Sequence, residues 1–225
     1  MKVSDKTYSN VGNSNILQFI NKDDCRVLDI GCGAGDNAKI LKGQNHFIDG
    51  ITLSDAEKKI ADQYFENVYI FDLENGLPSE VKNNHYDYIL CSHVLEHIAF
   101  PEKLLKDLEE ITSKQETKIL VALPNIMYYK TRIKIALGNF DYTDDGIMDY
   151  THLRWYTIKS AKKLFLRYNF AIQTSYVDGL PPFYSFFKIL GINSVKNIKK
   201  LLFFISPSFF GSEIVFELIH SPSYE

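Results

Sequence analysis

The chain has 225 residues, 45% of them hydrophobic, with a formal net charge of −3. This length and apolar content suffice for one substantial α/β core with a little left over, so a single domain over residues 1–225 is expected. The slightly acidic balance provides no cationic field for a phosphate backbone, which excludes nucleic acid as the expected partner.

Strand and helix patterns alternate along the chain. Residues 25–30 read as a first strand, followed by a helix to about residue 41. Residues 46–53 read as a second strand and 56–65 as a helix, with Ser54 or Asp55 as its N-cap. A short third strand at 68–71 and a fourth at 86–91 come next, and Pro101 then opens a helix at its first position. Residues 118–123 make a fifth strand that stops at Pro124. From 124 to 156 the periodicity gives way to an aromatic and acidic stretch too long for an ordinary connection, which reads as a substrate-binding insertion. A helix at 158–168 and strands at 170–177 and 213–219 complete the pattern. Residues 179–211 are apolar and aromatic, with Lys196, Lys199 and Lys200 interleaved. Three readings stay open for them: a lid or homodimer surface, a face resting on the inner membrane, or cover for the last two strands. Otherwise no run reaches the roughly eighteen apolar residues of a membrane span, and the opening MKVSDKTYSN lacks the apolar core of a signal peptide. The odd set Cys25, Cys32 and Cys91 fits reduced thiols, and a cytoplasmic location is expected.

The most informative stretch is Val27-Leu28-Asp29-Ile30-Gly31-Cys32-Gly33-Ala34-Gly35. An apolar strand running into alternating glycines brings bare backbone against a nucleotide-like ligand, because glycine accepts positive φ and has no Cβ. In a dinucleotide site the third glycine would fall at Asp36, where a carboxylate repels a diphosphate, so a nicotinamide-dependent oxidoreductase is disfavoured. Asp29, two residues before the first glycine, suits a cationic ligand instead.

The pattern D-x-G-x-G-x-G resembles motif I of the class I S-adenosylmethionine (SAM)-dependent methyltransferases, whose cofactor carries a sulfonium and an ammonium. The resemblance implies a doubly wound, Rossmann-like sheet of seven mostly parallel strands, with the last strand antiparallel. It also implies SAM as cofactor, with S-adenosylhomocysteine as product. Asp29 would hold the ammonium, and Gly31 and Gly33 would lie along the methionine portion. Thr52 and Leu53 stand where the family usually has an acid for the ribose hydroxyls; a similar G-x-T-L-S string occurs in methyltransferases resembling cyclopropane fatty acid synthases. Asp72 would accept from the adenine amino group with Leu73 beside it, and Cys91-Ser92-His93 would lie under the sulfonium.

Methyl transfer to a hydroxyl needs a proton acceptor, for which His93 is the first candidate and His152 the second. His93, Glu96 and His97 also spell H-x-x-E-H, a zinc signature that works within a continuous helix; directly after a strand it reads as coincidental, and no metal is expected. Segments 123–125, 138–142, 146–149 and 151–157 resemble bacterial methyltransferases associated with surface-polysaccharide synthesis. Tyr142, Asp149, Arg154 and Trp155 would then contact a polar, hydroxyl-rich glycan or nucleotide-sugar acceptor. The plainer reading is a self-packed loop with Asp149 and Arg154 paired and His152 capping a backbone group. O-methylation of a sugar is the leading reading; N- or C-methylation or lipid modification of another metabolite, and a catalytically silent binding subunit, are the alternatives.

Overall fold

The computed structural model describes residues 11–180, 182, 184 and 195–221. Much of the apolar excursion expected at 179–211 therefore lies outside the described residues. A short helix α1 (Ser14–Leu17) precedes β1 (Arg26–Ile30), α2 (Asp36–Leu41), β2 (Phe47–Thr52), α3 (Asp55–Ala61), β3 (Asn67–Ile70), α4 (Ser79–Lys82) and β4 (Tyr88–Ser92). Then come α5 (Glu102–Lys114), β5 (Lys118–Pro124), α6 (Tyr129–Ala136), α7 (Ile158–Leu166), β6 (Phe170–Asp178), α8 (Val195–Ile205), α9 (Pro207–Phe210) and β7 (Glu213–His220).

The seven strands form one sheet in the order β3-β2-β1-β4-β5-β7-β6. β1 pairs in parallel with both β2 and β4, so the strand order reverses there, and β7 runs antiparallel between β5 and β6. This is the sheet that the motif I resemblance implies. Because side chains alternate across a strand, each central strand feeds two apolar layers. Leu28, Ile30, Ile89, Cys91, Val121 and Phe216 join one cluster, while Val27, Tyr88, Leu90, Leu120 and Val215 join the other.

Local chemistry sets the element boundaries. The Ser54 side chain caps α3 by accepting from the Glu57 amide, and Thr157 and Ser160 form a reciprocal capping box on α7. Pro101 sits at the cap of α5, one place before its expected position. The stretch after β5 where periodicity gave way contains α6, which leaves Ile133 and Ile135 exposed and so has no clear amphipathic period. The three cysteines are buried and free, and burial raises the Cys25 thiol to about 11. Leu201, Phe204 and Ile205 of α8 are exposed, yet no helix among the described residues is long and apolar enough to cross a membrane.

Phe165 of α7 is fully buried and packs edge-on against Phe216 of β7 at 5.3 Å between ring centroids. Phe165→Ala should cost about 3–5 kcal/mol of unfolding free energy. Urea denaturation checks this, and a loss below about 1 kcal/mol would mean that α7 is not a core element.

Candidate active site

Ligands of doubly wound sheets lie beyond the carboxyl ends of the strands, at the point where strand order reverses. Here that point is the β1–β4 seam, and the glycine turn after β1 occupies it. Gly31, Gly33 and Gly35 have φ of +71°, +53° and +88°. A Cβ on Gly31 would lie 2.6 Å from a Val94 methyl, so the turn is closed to any side chain there. The Cys32 amide donates to the Ile51 carbonyl at 2.8 Å, tying the turn to the end of β2. Asp36 begins α2 and pairs with Lys39 at 2.6 Å.

Asp29 is 1% exposed; Oδ2 accepts from Asn37 Nδ2 at 3.3 Å, and Oδ1 has no partner. Burial raises its pKa to about 7, only partly opposed by the Asn37 hydrogen bond. Asn37 also accepts from the Asn13 amide at 2.9 Å, and the Asn13 side chain donates to Ser92 at 3.2 Å and Glu213 at 2.6 Å. Asn15 donates to the other Glu213 oxygen at 2.6 Å. His93 completes the chain, its Nε2 2.7 Å from Glu213 and its Nδ1 3.2 Å from Glu96. One polar network thus runs from the motif I acid to Glu96. Asn13, Asn15, Asn37 and Glu213 carry it, and sequence reasoning singled out none of them. They come from opposite ends of the chain, and only the antiparallel placement of β7 gave a clue.

His93 lies at the expected place after β4, its side chain 41% exposed and its backbone left-handed with φ +56°. Burial opposes its charge, but hydrogen bonds from both ring nitrogens to Glu213 and Glu96 outweigh this and raise the imidazolium pKa to about 10. It therefore arrives protonated. Cys91 is 1% exposed and packs in the core cluster, so only its backbone is offered to the crevice. Thr52, at the end of β2, donates to the buried Glu57 carboxylate at 2.6 Å. Glu57 stands in the first turn of α3. Leu53 beside them is exposed. Asp49 is committed elsewhere, to Arg26 at 2.7 Å, Asn67 at 2.9 Å and Tyr86 at 3.0 Å. Asp72 is exposed and caps the turn Leu73–Asn75, within which Leu73 is half-buried.

The insertion folds back over the turn after β4. Its Leu153 and Arg154 amides both donate to the Glu96 carbonyl, at 2.8 and 3.0 Å. Arg154 Nε reaches the Ala99 carbonyl at 2.8 Å, and Asp149 accepts from the Thr151 amide and hydroxyl at 2.8 and 2.6 Å. The Asp149–Arg154 pair of the plainer reading does not form, because Asp149 is held by the Thr151 amide and hydroxyl and Arg154 by the Ala99 carbonyl. His152 does cap a backbone group, the Ile147 carbonyl, at 3.0 Å. It also meets His97 edge-on at 4.8 Å, which brings Glu96, His97 and His152 together with donor atoms all within 4.8 Å of one another. Burial lowers the His97 pKa despite the adjacent Glu96. Phe140, Tyr142 and Trp155 form an aromatic cluster with centroids 5.8–6.1 Å apart, and the buried Trp155 Nε1 has no partner. A concavity of about 420 Å³ lined by Arg26, Phe47 and Glu66 lies at the opposite, amino edge of the sheet, away from the glycine turn and His93.

Residues 9–175 match a family described as a methyltransferase domain. The chain belongs to that family. It is similar to ajmaline N-methyltransferase of Rauvolfia serpentina, 26% identical over 102 residues, which span 43% of this chain and 35% of that one. The match thus covers about a third of the curated relative. Among solved structures, it resembles a SAM-dependent methyltransferase from Archaeoglobus fulgidus, with TM-score 0.61, 18% identity and 91% coverage of both chains. It also resembles magnesium protoporphyrin IX methyltransferase from Synechocystis with bound S-adenosylhomocysteine, with TM-score 0.56, 15% identity and coverage of 92% of this chain and 80% of that one. At these identities the structural likeness speaks for the methyltransferase fold, which agrees with the strand order above.

The glycine turn of this methyltransferase domain yields a stability prediction. Gly31→Ala should destabilise by about 1–2 kcal/mol or more, from left-handed strain plus the clash with Val94. Val94→Ala should return part of that loss, leaving the strain. A thermal melt of the single and double variants checks both, and an unchanged single variant would show that the turn has another shape.

Proposed function

We propose that this chain is a SAM-dependent methyltransferase that methylates an oxygen of a sugar or sugar-derived small molecule in surface-glycan assembly, leaving S-adenosylhomocysteine. The observation that carries the cofactor is Asp29, a fully buried carboxylate with one oxygen unpartnered beside the glycine turn. A carboxylate in that state calls for a cation, and the family match names the class of donor. Bound there, SAM supplies a methyl carbon activated by its sulfonium.

The chain's own residues do the positioning. Asp29 holds the ammonium, and the Gly31 and Gly33 backbone lies along the amino-acid portion. Thr52 with Glu57 behind it meets the ribose hydroxyls, with Leu53 alongside. Asp72 and Leu73 border the adenine, and the backbone of Cys91 passes beneath the sulfur. On the acceptor side, Tyr142 and Trp155, with Phe140, offer aromatic faces, which suits a polyhydroxylated ring. Asp149 and Arg154 shape that wall through their backbone contacts. A hydroxyl acceptor must also lose its proton. Both nitrogens of the protonated His93 already donate, so the ring can take the hydroxyl's proton only as it releases one of its own; the His93–Glu213 pair therefore acts as one unit, Glu213 receiving the Nε2 proton as the ring receives the acceptor's.

Transfer to nitrogen is the second reading. It is favoured by the same protonated His93, since a neutral amine brings its own lone pair, and by the N-methyltransferase named among the relatives. Turnover with nucleotide sugars against small amines separates the two.

Calorimetry should give binding of SAM and S-adenosylhomocysteine and none of NAD; the opposite preference removes the reading. Asp29→Asn should weaken SAM by about 1.5–3 kcal/mol, roughly 10- to 150-fold. Asp29 keeps its proton to about pH 7 in the unliganded fold but loses it near 3.8 when unfolded, so it costs the fold stability as pH rises between those values. The melting temperature of Asp29→Asn relative to wild type should therefore climb over that range, while wild-type SAM affinity falls as pH drops through about 7. An affinity independent of pH would place the ammonium elsewhere.

His93→Ala should keep SAM binding and slow turnover of a hydroxyl acceptor by about 10²-fold. An unchanged rate removes His93 from the chemistry.

A further inference from the structure

We infer that Glu96, His97 and His152 form a binding site for a divalent transition-metal ion, held by one carboxylate oxygen and two imidazole nitrogens. The inference goes beyond methyl transfer and stands without it.

The first observation is the convergence itself, three donor atoms within 4.8 Å of one another. The second is independent. Glu96 is 0% exposed; Oε1 faces His93 at 3.2 Å, and Oε2 has no partner at all. A buried carboxylate oxygen in that condition is costly unless a cation or a donor meets it.

The imidazoles are oriented as ligands. Nδ1 of His152 lies 3.0 Å from the Ile147 carbonyl; Nδ1 of His97 lies 3.3 Å from the Thr151 carbonyl and 3.1 Å from the Thr151 hydroxyl, whose own proton goes to Asp149 at 2.6 Å. A carbonyl only accepts, so both Nδ1 atoms carry the proton and both Nε2 atoms carry the lone pair. Anchoring the far nitrogen on a carbonyl is how metal-binding histidines are commonly fixed in tautomer and direction. The supports are rigid as well. His97 ends the turn Leu95–His97, and His152 immediately precedes the two amides that clamp onto the Glu96 carbonyl.

Two nitrogens and one oxygen select a zinc- or cobalt-like ion over magnesium or calcium, which favour all-oxygen shells. Three protein ligands leave a coordination position for water or an acceptor oxygen. His97 is partly exposed and gives the site its access to solvent. The H-x-x-E-H string pointed near this place with the wrong third member. His93 is taken by Glu213, and its place is filled by His152, 55 residues along the chain from His97 (152 − 97).

The test uses the full chain, stripped of metal and then titrated with Zn²⁺ by calorimetry and with Co²⁺ by visible absorption. Expected are about one equivalent of Zn²⁺, the d–d bands of low-coordinate Co²⁺ and a Zn²⁺-dependent rise in melting temperature. Glu96→Gln keeps the shape and an acceptor for His93, so the metal-free variant should melt no lower than wild type while Zn²⁺ affinity falls at least about tenfold. His152→Ala should abolish the cobalt bands; if that variant fails to fold, Glu96→Gln decides alone. A folded wild-type chain that takes up neither metal overturns the inference. So does uptake undiminished in Glu96→Gln, which would assign the metal elsewhere, for instance to Cys25 and His46, whose Sγ and Nδ1 lie 3.2 Å apart.

Discussion

Leaving a carboxylate oxygen buried without a partner costs a fold about 1–3 kcal/mol or more, and the carboxyl edge of this sheet does so twice, at Asp29 and at Glu96. Neither is isolated. Asp29 connects through Asn37 and Asn13 to Glu213, and Glu213 through His93 to Glu96. The network spreads donors over acceptors until two oxygens are left over, one at each end. Around them the chain tolerates further strain, a left-handed His93, beside a turn whose three left-handed positions are relieved by glycine. Strain and unmet charge in one place mark where the fold has been shaped for ligands rather than for its own stability.

The antiparallel strand explains how so much negative charge reaches one edge. In a wholly parallel sheet every strand would begin at the amino edge and present only its end to the crevice. β7 runs the other way, so its first residue, Glu213, stands beside the end of β5 and reaches across to His93, just after β4. Glu213 also gathers Asn13 and Asn15, which fastens the segment before β1 across the same edge. Its pKa is lowered because the His93, Asn15 and Asn13 hydrogen bonds together overcome the burial that would raise it. Reversal of a single strand thus places a charged group where its parallel neighbours could not.

What the sequence disclosed follows from how far each signal reaches. Strand alternation and the glycine spacing are local, so β1 to β7 and the turn at Gly31 were legible to within a residue or two at most ends. Helix ends were less so: α3 stops at Ala61, earlier than its apolar pattern suggests, because Tyr64 and Phe65 turn in to cover Gly35. The pairing of Thr52 with Glu57 crosses from a strand to the first helical turn after it, and strand periodicity alone cannot show that. Glu213 meeting His93 and His152 meeting His97 depend on tertiary contacts between distant segments and left no local trace. Asp149 and Arg154 illustrate the converse: opposite charges close in sequence suggested a pair, but Thr151 took Asp149 and the Ala99 carbonyl took Arg154.

The insertion is more than an attachment to the sheet. Two of its amides close on the Glu96 carbonyl, the Tyr156 hydroxyl donates to the Leu95 carbonyl at 3.3 Å, and Arg154 spans to Ala99. These bonds fix the backbone of 153–156 against the turn that carries Glu96 and His97. The same turn follows directly on His93 and on Val94, whose methyl blocks any side chain at Gly31. A displacement of the aromatic wall therefore strains the glycine turn through one short run of chain, residues 93 to 97. The aromatic cluster and the glycine turn are held in register by backbone hydrogen bonds, which are harder to shift than side-chain contacts. For a reaction that depends on lining up one carbon between two atoms, that stiffness matters more than the strength of any single contact.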